Sequence, residues 1–327
     1  MSDTVAAFEK RRGGVECNFV SFLVGRVTTI VMLWVLAGPL VKNGATQQSP
    51  VFRAGVDLVN LGVTVTDRRG KLVADLTADD FEVLEDGKPQ SVRFFASSTS
   101  PAPDMHLGLL LDVSGSMESE IAFTRTASIK FLNTLTEAVD VTVVDFDTEV
   151  RVARYGQAEF PRLIERIRQQ KTRGETALFD AIGVYLDGAA ALDGQKIMLL
   201  YTDGGDTRSA MRLHELIDLV KASDVTIYGI GVLDRHSFSA RNEQQMVLRQ
   251  IAETTGGQVY FPPSVKDLEK VYEQVAAEIR AQYTLGYLST NGTANGAWRK
   301  VEIKLKRSDA KDLRIRSRKG YFAPYRP

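Results

Sequence analysis

Four apolar runs without polar alternation dominate the middle of this sequence. They occupy residues 107–111, 141–144, 197–200 and 225–230. A strand with one solvated face alternates apolar and polar residues, so continuous runs predict strands that are buried on both faces. Segments with apolar residues at helical spacing follow the later runs or lie between them, at residues 178–189, 213–220 and 268–279. Strand and helix therefore alternate, which predicts a doubly wound, mostly parallel, Rossmann-like α/β sheet over residues 104–282.

Shorter extended segments flank this α/β region on both sides. In the N-terminal segment, Asp86-Gly87 predicts a hairpin turn between the strands at 81–84 and 92–95. The C-terminal segment has a similar character, but each set alone is too small to bury a core. We therefore predict one small, Ig-like β-sandwich made from residues 51–102 and 283–327, with the α/β domain inserted between them.

The first 45 residues differ from the rest. A basic patch, Lys10-Arg11-Arg12, precedes an apolar run at residues 27–40, as in export signals. Residues 19–40 are also about long enough to cross a bilayer, so the segment 1–45 is either a cleaved signal peptide or a retained membrane anchor. Both alternatives predict an exported protein that is periplasmic, secreted or anchored to the membrane. The only cysteine, Cys17, precedes the apolar run, so no internal disulfide can form.

The overall charge balance favours no particular class of partner. The chain has 41 basic and 41 acidic residues, which argues against nucleic acid. Residues 299–319 are a local exception, with ten basic and three acidic residues. Because Lys304 and Lys306 alternate with apolar residues, we interpret this segment as the solvated face of a half-buried sheet, with an anionic binding surface as the alternative. The sequence shows no coiled-coil heptads, so it gives no reason to predict an oligomer.

Three loops place oxygen-bearing side chains where predicted strands end or helices begin. The segment 112–116, Asp-Val-Ser-Gly-Ser, follows the first buried strand and precedes a helix predicted to begin near Glu118. Gly174-Glu175-Thr176 precedes another helix, and Thr202-Asp203-Gly204 follows the strand at 197–200. In open α/β sheets, ligands bind beyond the carboxyl ends of the strands. We therefore expect one shared rim formed by Asp112, Ser114, Ser116, Thr176 and Asp203.

The chemistry of these side chains predicts a metal site. Hydroxyl and carboxylate oxygens suit Mg²⁺ or Mn²⁺, whereas the lack of His and Cys in the loops argues against zinc or copper. Asp112 and Asp203 just neutralise a divalent ion, which could then attract an Asp or Glu carboxylate of a partner protein. The alternative is turn and capping chemistry, as we expect for Asp206 and Thr207 before the helix at 213–220.

These residues resemble a known family. The Asp-x-Ser-x-Ser motif at 112–116, Thr176 after a glycine, and Thr202-Asp203-Gly204 match the metal-ion-dependent adhesion site of von Willebrand factor A (VWA) domains, over residues 106–283. The resemblance implies a cell-adhesion or assembly module with direct coordination by the three hydroxyls, and by Asp112 and Asp203 directly or through water. It also implies that the last helix, at 264–281, moves in some relatives.

A looser resemblance concerns the segments that flank this region. The export signal, the N-terminal β unit and the ending with Gly320-Tyr321 are similar to a bacterial, acidobacterial-type group of VWA-related proteins. The acidic loop residues Asp145 and Asp147 flank Phe146, for which the VWA resemblance implies a structural role. We expect these two acids to be loop residues that could support the site from a second shell.

Enzymatic interpretations find little support in the sequence. Ser114 and Ser116 lie in no Gly-x-Ser-x-Gly elbow, and the three histidines, His106, His214 and His236, are scattered. Phosphoryl transfer from Asp112 would require a second acid where Ser114 stands, and Gly229-x-Gly231 lacks the third glycine of a dinucleotide loop. We therefore predict a binding protein rather than an enzyme. A metal-free module that binds through its β-sandwich remains the alternative.

Overall fold

The computed structural model describes residues 58–100, 104–233 and 237–325. The predicted signal or anchor at 1–45, and its span at 19–40, lie outside these residues. Within them, no helix combines the length and apolar character needed to cross a bilayer. The strands are β1 (Leu58–Asp67), β2 (Phe81–Glu85), β3 (Lys88–Gln90), β4 (Val92–Ala96), β5 (Met105–Asp112), β6 (Ala138–Phe146), β7 (Val150–Gly156), β8 (Gln195–Thr202), β9 (Thr226–Gly231), β10 (Val259–Tyr260), β11 (Tyr283–Leu288), β12 (Trp298–Leu305), β13 (Leu313–Ser317) and β14 (Gly320–Phe322). The α-helices are α1 (Ile121–Thr134), α2 (Phe160–Gln169), α3 (Leu178–Ala189), α4 (Leu213–Ala222), α5 (Phe238–Thr254) and α6 (Leu268–Ala281).

The four apolar runs form four of the five parallel strands of a central six-stranded sheet in the order β10-β9-β8-β5-β6-β7, in which only β7 is antiparallel to its neighbour. Successive side chains of β5 point to opposite faces. Leu109 and Leu111 join a core covered by α1, α2 and α6, whereas Leu110 joins a core covered by α3, α4 and α5. Burial on both faces explains the runs, and the predicted doubly wound fold class is confirmed.

Strand order defines where a ligand can bind. The chain leaves β5 toward β6 on one side and later returns to β8 on the other side, so the order reverses between β5 and β8. The carboxyl ends of these two strands are Asp112 and Thr202. A crevice at such a reversal is the usual ligand site of open α/β sheets.

The flanking segments form two antiparallel four-stranded sheets, ordered β13-β1-β11-β4 and β14-β12-β2-β3. Both sheets mix strands from the two ends of the chain and share one apolar core, as the sequence predicts. The hairpin prediction is wrong in its second strand. Asp86 and Gly87 have φ of 47° and 80° and connect β2 to β3, while β4 pairs with β11 in the other sheet. Pro89 donates no hydrogen bond, which suits a short edge strand such as β3.

A buried polar network joins the two ends of the chain inside the sandwich. The Glu85 carboxylate accepts hydrogen bonds from Tyr287 Oη and Tyr321 Oη, both at 2.8 Å, and from Ser289 Oγ at 2.6 Å. The guanidinium of Arg299 lies 3.5 Å from the same carboxylate. Only 2% of the Glu85 side chain and 5% of the Arg299 side chain are exposed. The network therefore fixes β2 against β11, β12 and β14.

Residues 299–319 show the predicted half-buried character. Along β12, buried and exposed side chains alternate, with Val301 and Ile303 facing the core and Lys300 and Lys304 facing solvent. Several of the other basic side chains are engaged internally, including Arg316, which forms an ion pair with Glu278 of α6. The structure thus favours the interpretation of a solvated sheet face for this basic segment.

Candidate metal centre

The carboxylate of Asp112 is held rigidly at the end of β5. It is fully buried, its Oδ1 accepts a hydrogen bond from the backbone N–H of Ser114 at 2.9 Å, and its Oδ2 accepts one from Thr202 Oγ1 at 2.6 Å. One donor comes from the loop that follows β5 and the other from the end of β8. The carboxylate is therefore fixed at the point where strand order reverses.

Two serine hydroxyls connect this loop to the second carboxylate. Ser114 Oγ lies 3.0 Å from Ser116 Oγ, which donates a hydrogen bond to Asp203 Oδ1 at 2.9 Å. Residues Gly115–Ser119 form a 3-10 turn, so α1 begins at Ile121 and not near Glu118 as predicted. The tight turn brings both hydroxyls to the same side of the loop, toward Asp203.

Thr176 reaches the same place from a third loop. The carbonyl of Gly174 accepts a hydrogen bond from Gly115 N at 3.0 Å, and Gly174 has a φ of 69°, which favours glycine. The side chains of Thr176 and Ser116 line one cavity. Among the hydrogen bonds of the described residues, none involves Thr176 Oγ1, so this hydroxyl is available as a ligand. All five predicted residues thus surround the same crevice.

The donor set fits a small divalent cation. Neighbouring ligands of an octahedral ion with bonds of 2.0–2.1 Å are separated by about 2.9 Å. The oxygen–oxygen distances from Ser116 to Ser114 and to Asp203 are 3.0 and 2.9 Å. Two carboxylates with three neutral hydroxyls give the hard oxygen environment that Mg²⁺ and Mn²⁺ prefer. The residues present therefore fit the ion that the sequence predicts.

The family model of the von Willebrand factor type A domain matches residues 106–274, a range that contains all five predicted site residues. The chain belongs to this family. Among solved structures, it is similar to a von Willebrand factor type A protein from Catenulispora acidiphila, at 14% identity and a TM-score of 0.48, covering 84% of this chain and 75% of that one. A search of curated proteins returns no match. The resemblance to an acidobacterial-type group stays a prediction.

Two pilus proteins are also similar to this chain. The PilB minor pilin from Streptococcus sanguinis matches at 12% identity and a TM-score of 0.46, covering 56% of this chain and 62% of that one. The pilus adhesin SpaC from Lactobacillus rhamnosus GG matches at 12% identity and a TM-score of 0.45, covering 75% and 48%. The match therefore spans less than two thirds of either pilus protein.

Burial is the main influence on the pKa of Asp112 in the VWA site. Loss of hydration raises the pKa of Asp112 to about 6, and the negative charge of Asp203 acts in the same direction. The hydrogen bonds from Ser114 and Thr202 lower the pKa of Asp112, but they do not compensate for burial. Ionisation of Asp112 is therefore less favourable in the metal-free protein than for an Asp in water, and a bound cation would stabilise the ionised form.

Arginines hold the two acids at the end of β6: Asp145 lies within the strand and not in a loop as expected, whereas Asp147 follows it in the loop. Asp145 accepts hydrogen bonds from Arg151 Nε at 2.8 Å and from Arg166 Nη2 at 2.6 Å. Asp147 is held by Arg151 Nη2 at 2.9 Å and Arg173 Nε at 3.1 Å, and its carbonyl accepts a hydrogen bond from Ala177 N. Asp147 therefore supports the loop of Thr176, as the sequence analysis allows, but it does so through its backbone carbonyl and not through its carboxylate.

The described histidines are remote from this rim or exposed. His106 lies near the opposite end of β5 from Asp112, with its ring nitrogens 2.8 Å from Asp140 Oδ2 and 2.8 Å from the carbonyl of Asp193. His214 is exposed on α4, and His236 lies outside the described residues. Among the hydrogen bonds of the described residues, none joins a histidine to Ser114 or Ser116.

Asp206 is a helix cap, although it caps a different helix from the one predicted. Its Oδ1 accepts a hydrogen bond from Phe179 N at 3.2 Å in the first turn of α3, and its Oδ2 accepts one from Ser209 N at 3.3 Å. Thr207 Oγ1 accepts from Thr176 N at 3.0 Å. The helix α4 begins instead with a hydrogen bond from Arg212 N to Glu215 Oε2.

We expect Asp206→Ala to lower the free energy of unfolding by about 1 kcal/mol, because the first turn of α3 loses its acceptor. Affinity for Mg²⁺ should stay within about twofold of wild type, since Asp206 is not among the proposed ligands. Urea denaturation and calorimetric Mg²⁺ titration measure the two effects. A large loss of affinity without a loss of stability would instead identify Asp206 as a ligand.

Proposed function

We propose that this VWA domain captures an acidic side chain of a partner protein through a bound Mg²⁺ or Mn²⁺ ion. The observation that carries the proposal is the continuous cluster of hydroxyl and carboxylate oxygens at the strand-order reversal, which contains only two carboxylates. When bound, the ion would supply a positive centre for an incoming carboxylate. Ser114, Ser116, Thr176, Asp112 and Asp203 would hold it.

The arrangement of charge supports binding to a carboxylate. Asp112 and Asp203 balance the charge of a divalent ion but do not exceed it, and the three hydroxyl ligands are neutral. Ser116 is exposed at the outer edge of the site, so a partner can approach there. A third acidic ligand from the chain itself would make the site less attractive to an anion. Family membership supports the same function of adhesion or assembly.

The N-terminal sequence supports an exported location for this function. A basic patch and an apolar run precede the described residues in the sequence, as in a signal peptide or anchor. Adhesion to an acidic partner outside the cytoplasm is therefore the function we propose. Catalysis is not part of the proposal, because no hydrogen bond within the described residues joins a histidine to either serine.

Thr176→Val is the sharpest test of the metal site. Valine keeps the shape of threonine and removes only the hydroxyl, which makes no hydrogen bond within the described residues. We expect calorimetry to show saturable binding of one Mg²⁺ per wild-type chain and at least about tenfold weaker binding by the variant. A peptide with a single Asp should bind the wild-type chain in Mg²⁺ and not in EDTA.

Thr126→Val provides the matched control, because Thr126 is exposed on α1, where its hydroxyl bonds to the carbonyl of Ala122. This variant should bind Mg²⁺ as wild type does. Absence of Mg²⁺ and Mn²⁺ binding by the wild-type chain would contradict the proposal and favour a metal-independent module that binds through its sandwich. Peptide binding that persists in EDTA would contradict the proposed role of the ion.

A further inference from the structure

A cavity of about 560 Å³ opens directly beside the proposed metal site. Ser116 and Thr176 form its inner wall, so it begins at the ligands themselves. Its volume lies in the range of pockets that bury a drug-sized ligand. A partner that places a carboxylate at the ion must therefore place its neighbouring atoms in or over this cavity.

The remaining walls are mainly apolar. Phe179 at the start of α3, Leu213 at the start of α4 and Val247 of α5 line the cavity and are only half-buried. Leu248 also lines it and is buried. Covering these half-buried side chains with another apolar group would remove their exposed surface from water, which is favourable. The apolar walls distinguish the cavity chemically from the adjoining polar rim that would hold the ion.

Two polar side chains of α5 limit what can enter. Gln244 lines the cavity, and within the described part of the chain its Oε1 is buried without a hydrogen-bond donor. Rotation of the Gln244 side chain would turn this acceptor toward the cavity, where a backbone N–H of a bound peptide would satisfy it. Glu243 also lines the cavity and is exposed at its edge, so it repels a second acidic side chain. The cavity therefore suits an uncharged apolar side chain on a peptide backbone.

We infer that the partner presents an acidic residue and a large apolar residue close together on one peptide segment, with the carboxylate at the metal site and the apolar side chain in this cavity. The inference rests on the proposed function and adds the specificity that a carboxylate alone lacks. Full burial of one Leu-sized side chain corresponds to a gain in affinity of at least about tenfold.

A display experiment tests this pairing without a known partner. A random dodecapeptide phage library is selected on the immobilised chain in Mg²⁺ and eluted with EDTA. We expect the eluted peptides to be enriched in Asp or Glu with Leu, Ile, Phe or Trp within three positions. Selection on Ala240→Trp, which fills the cavity from α5, should retain the acid and lose the enrichment of the apolar residue.

Matched variants and a metal titration complete the design. Ser239→Trp adds the same bulk at an exposed position of α5 that does not line the cavity, and it should select the same peptides as wild type. Val247→Gln makes the wall polar without adding bulk, and it replaces Ala240→Trp if that variant does not fold. Each variant should bind Mg²⁺ with wild-type affinity.

The outcomes separate the inference from the proposed function. Enrichment of the acid alone on the wild-type chain would overturn the inference and leave carboxylate capture intact. Retention of the apolar residue in peptides selected on a folded Ala240→Trp variant would also overturn the inference. No enrichment on elution with EDTA, together with no Mg²⁺ binding by calorimetry, would overturn both.

Discussion

Replacing Asp112 by Asn is expected to abolish Mg²⁺ binding and, at the same time, to stabilise the metal-free protein by about 2–3 kcal/mol at pH 8. Loss of binding follows because Asn carries no negative charge and Asp112 is one of only two carboxylates in the cluster. We expect the affinity to fall at least about 100-fold. The gain in stability has a separate origin in the burial of the carboxylate.

The direction of the stability change follows from the pKa of Asp112. Burial raises this pKa from 3.8 to about 6 in the folded chain, so the folded state binds the proton more tightly than the unfolded state. The stability that protonation contributes is complete below pH 3.8 and is lost as pH rises through 6. The difference of about two pH units corresponds to about 3 kcal/mol above pH 6. Asn stays neutral and avoids this loss.

Local hydrogen bonds can accommodate the Asn side chain. Its Oδ1 can accept the bond from Ser114 N, and its amide can donate to Thr202 Oγ1. The Thr202 hydroxyl can then donate to the carbonyl of Gly204, which lies 3.3 Å away. These bonds replace both hydrogen bonds that the Asp112 carboxylate accepts, so most of the stabilisation should be kept.

Urea denaturation in EDTA between pH 4 and pH 8 measures this effect. The stability difference between Asp112→Asn and wild type should be small at pH 4 and grow through pH 6. Asp187→Asn, at an exposed position of α3, is the control and should change neither stability nor Mg²⁺ binding. An Asp112→Asn variant that is less stable than wild type at pH 8 would show that burial of the ionised Asp112 carboxylate does not destabilise the folded protein.

The sequence predicts the sheet well because burial on both faces leaves a direct trace in the residues of β5, β6, β8 and β9. It misses α5, and the reason is physical. The helix buries few apolar side chains, including Leu248 and Ile251, while Phe238 and Met246 are 79% and 70% exposed. Apolar residues on both faces blur the helical period. The apolar cavity beside the metal site was missed for the same reason, because α5 forms one of its walls.

The rim residues are predictable because each is adjacent to the end of a buried strand or the start of a helix. Contacts that depend on distant parts of the chain are not. Asp206 caps α3 through a hydrogen bond with Phe179, which lies 27 residues earlier in the sequence. No local sequence pattern distinguishes this role from capping of α4. The hairpin partner of β2 was wrong for a similar reason, because the chain changes sheets after β3.

Replacing Glu85 by Ala should lower the free energy of unfolding by about 3–5 kcal/mol, because Arg299 would remain buried and charged without its carboxylate. Tyr287 and Tyr321 would also lose their acceptor. Burial is the largest cause that raises the pKa of both tyrosines, and it persists without Glu85, so ionisation of either tyrosine to replace the lost charge stays unfavourable. Urea denaturation and thermal unfolding measure the loss.

Glu302→Ala is the matched control for Glu85→Ala, since Glu302 lies on the solvated face of β12 and only approaches Lys304, at 3.6 Å. Removal of such an exposed pair should change stability by less than about 0.5 kcal/mol. The double variant Glu85→Leu with Arg299→Met should recover part of the stability, because it removes both buried charges together, while Tyr287 and Tyr321 still lack their acceptor. A similar loss for Glu85→Ala and Glu302→Ala would show that the network does not hold the two ends of the chain together. Since β11 continues directly from α6, a loosened sandwich should also weaken the packing of that last VWA helix.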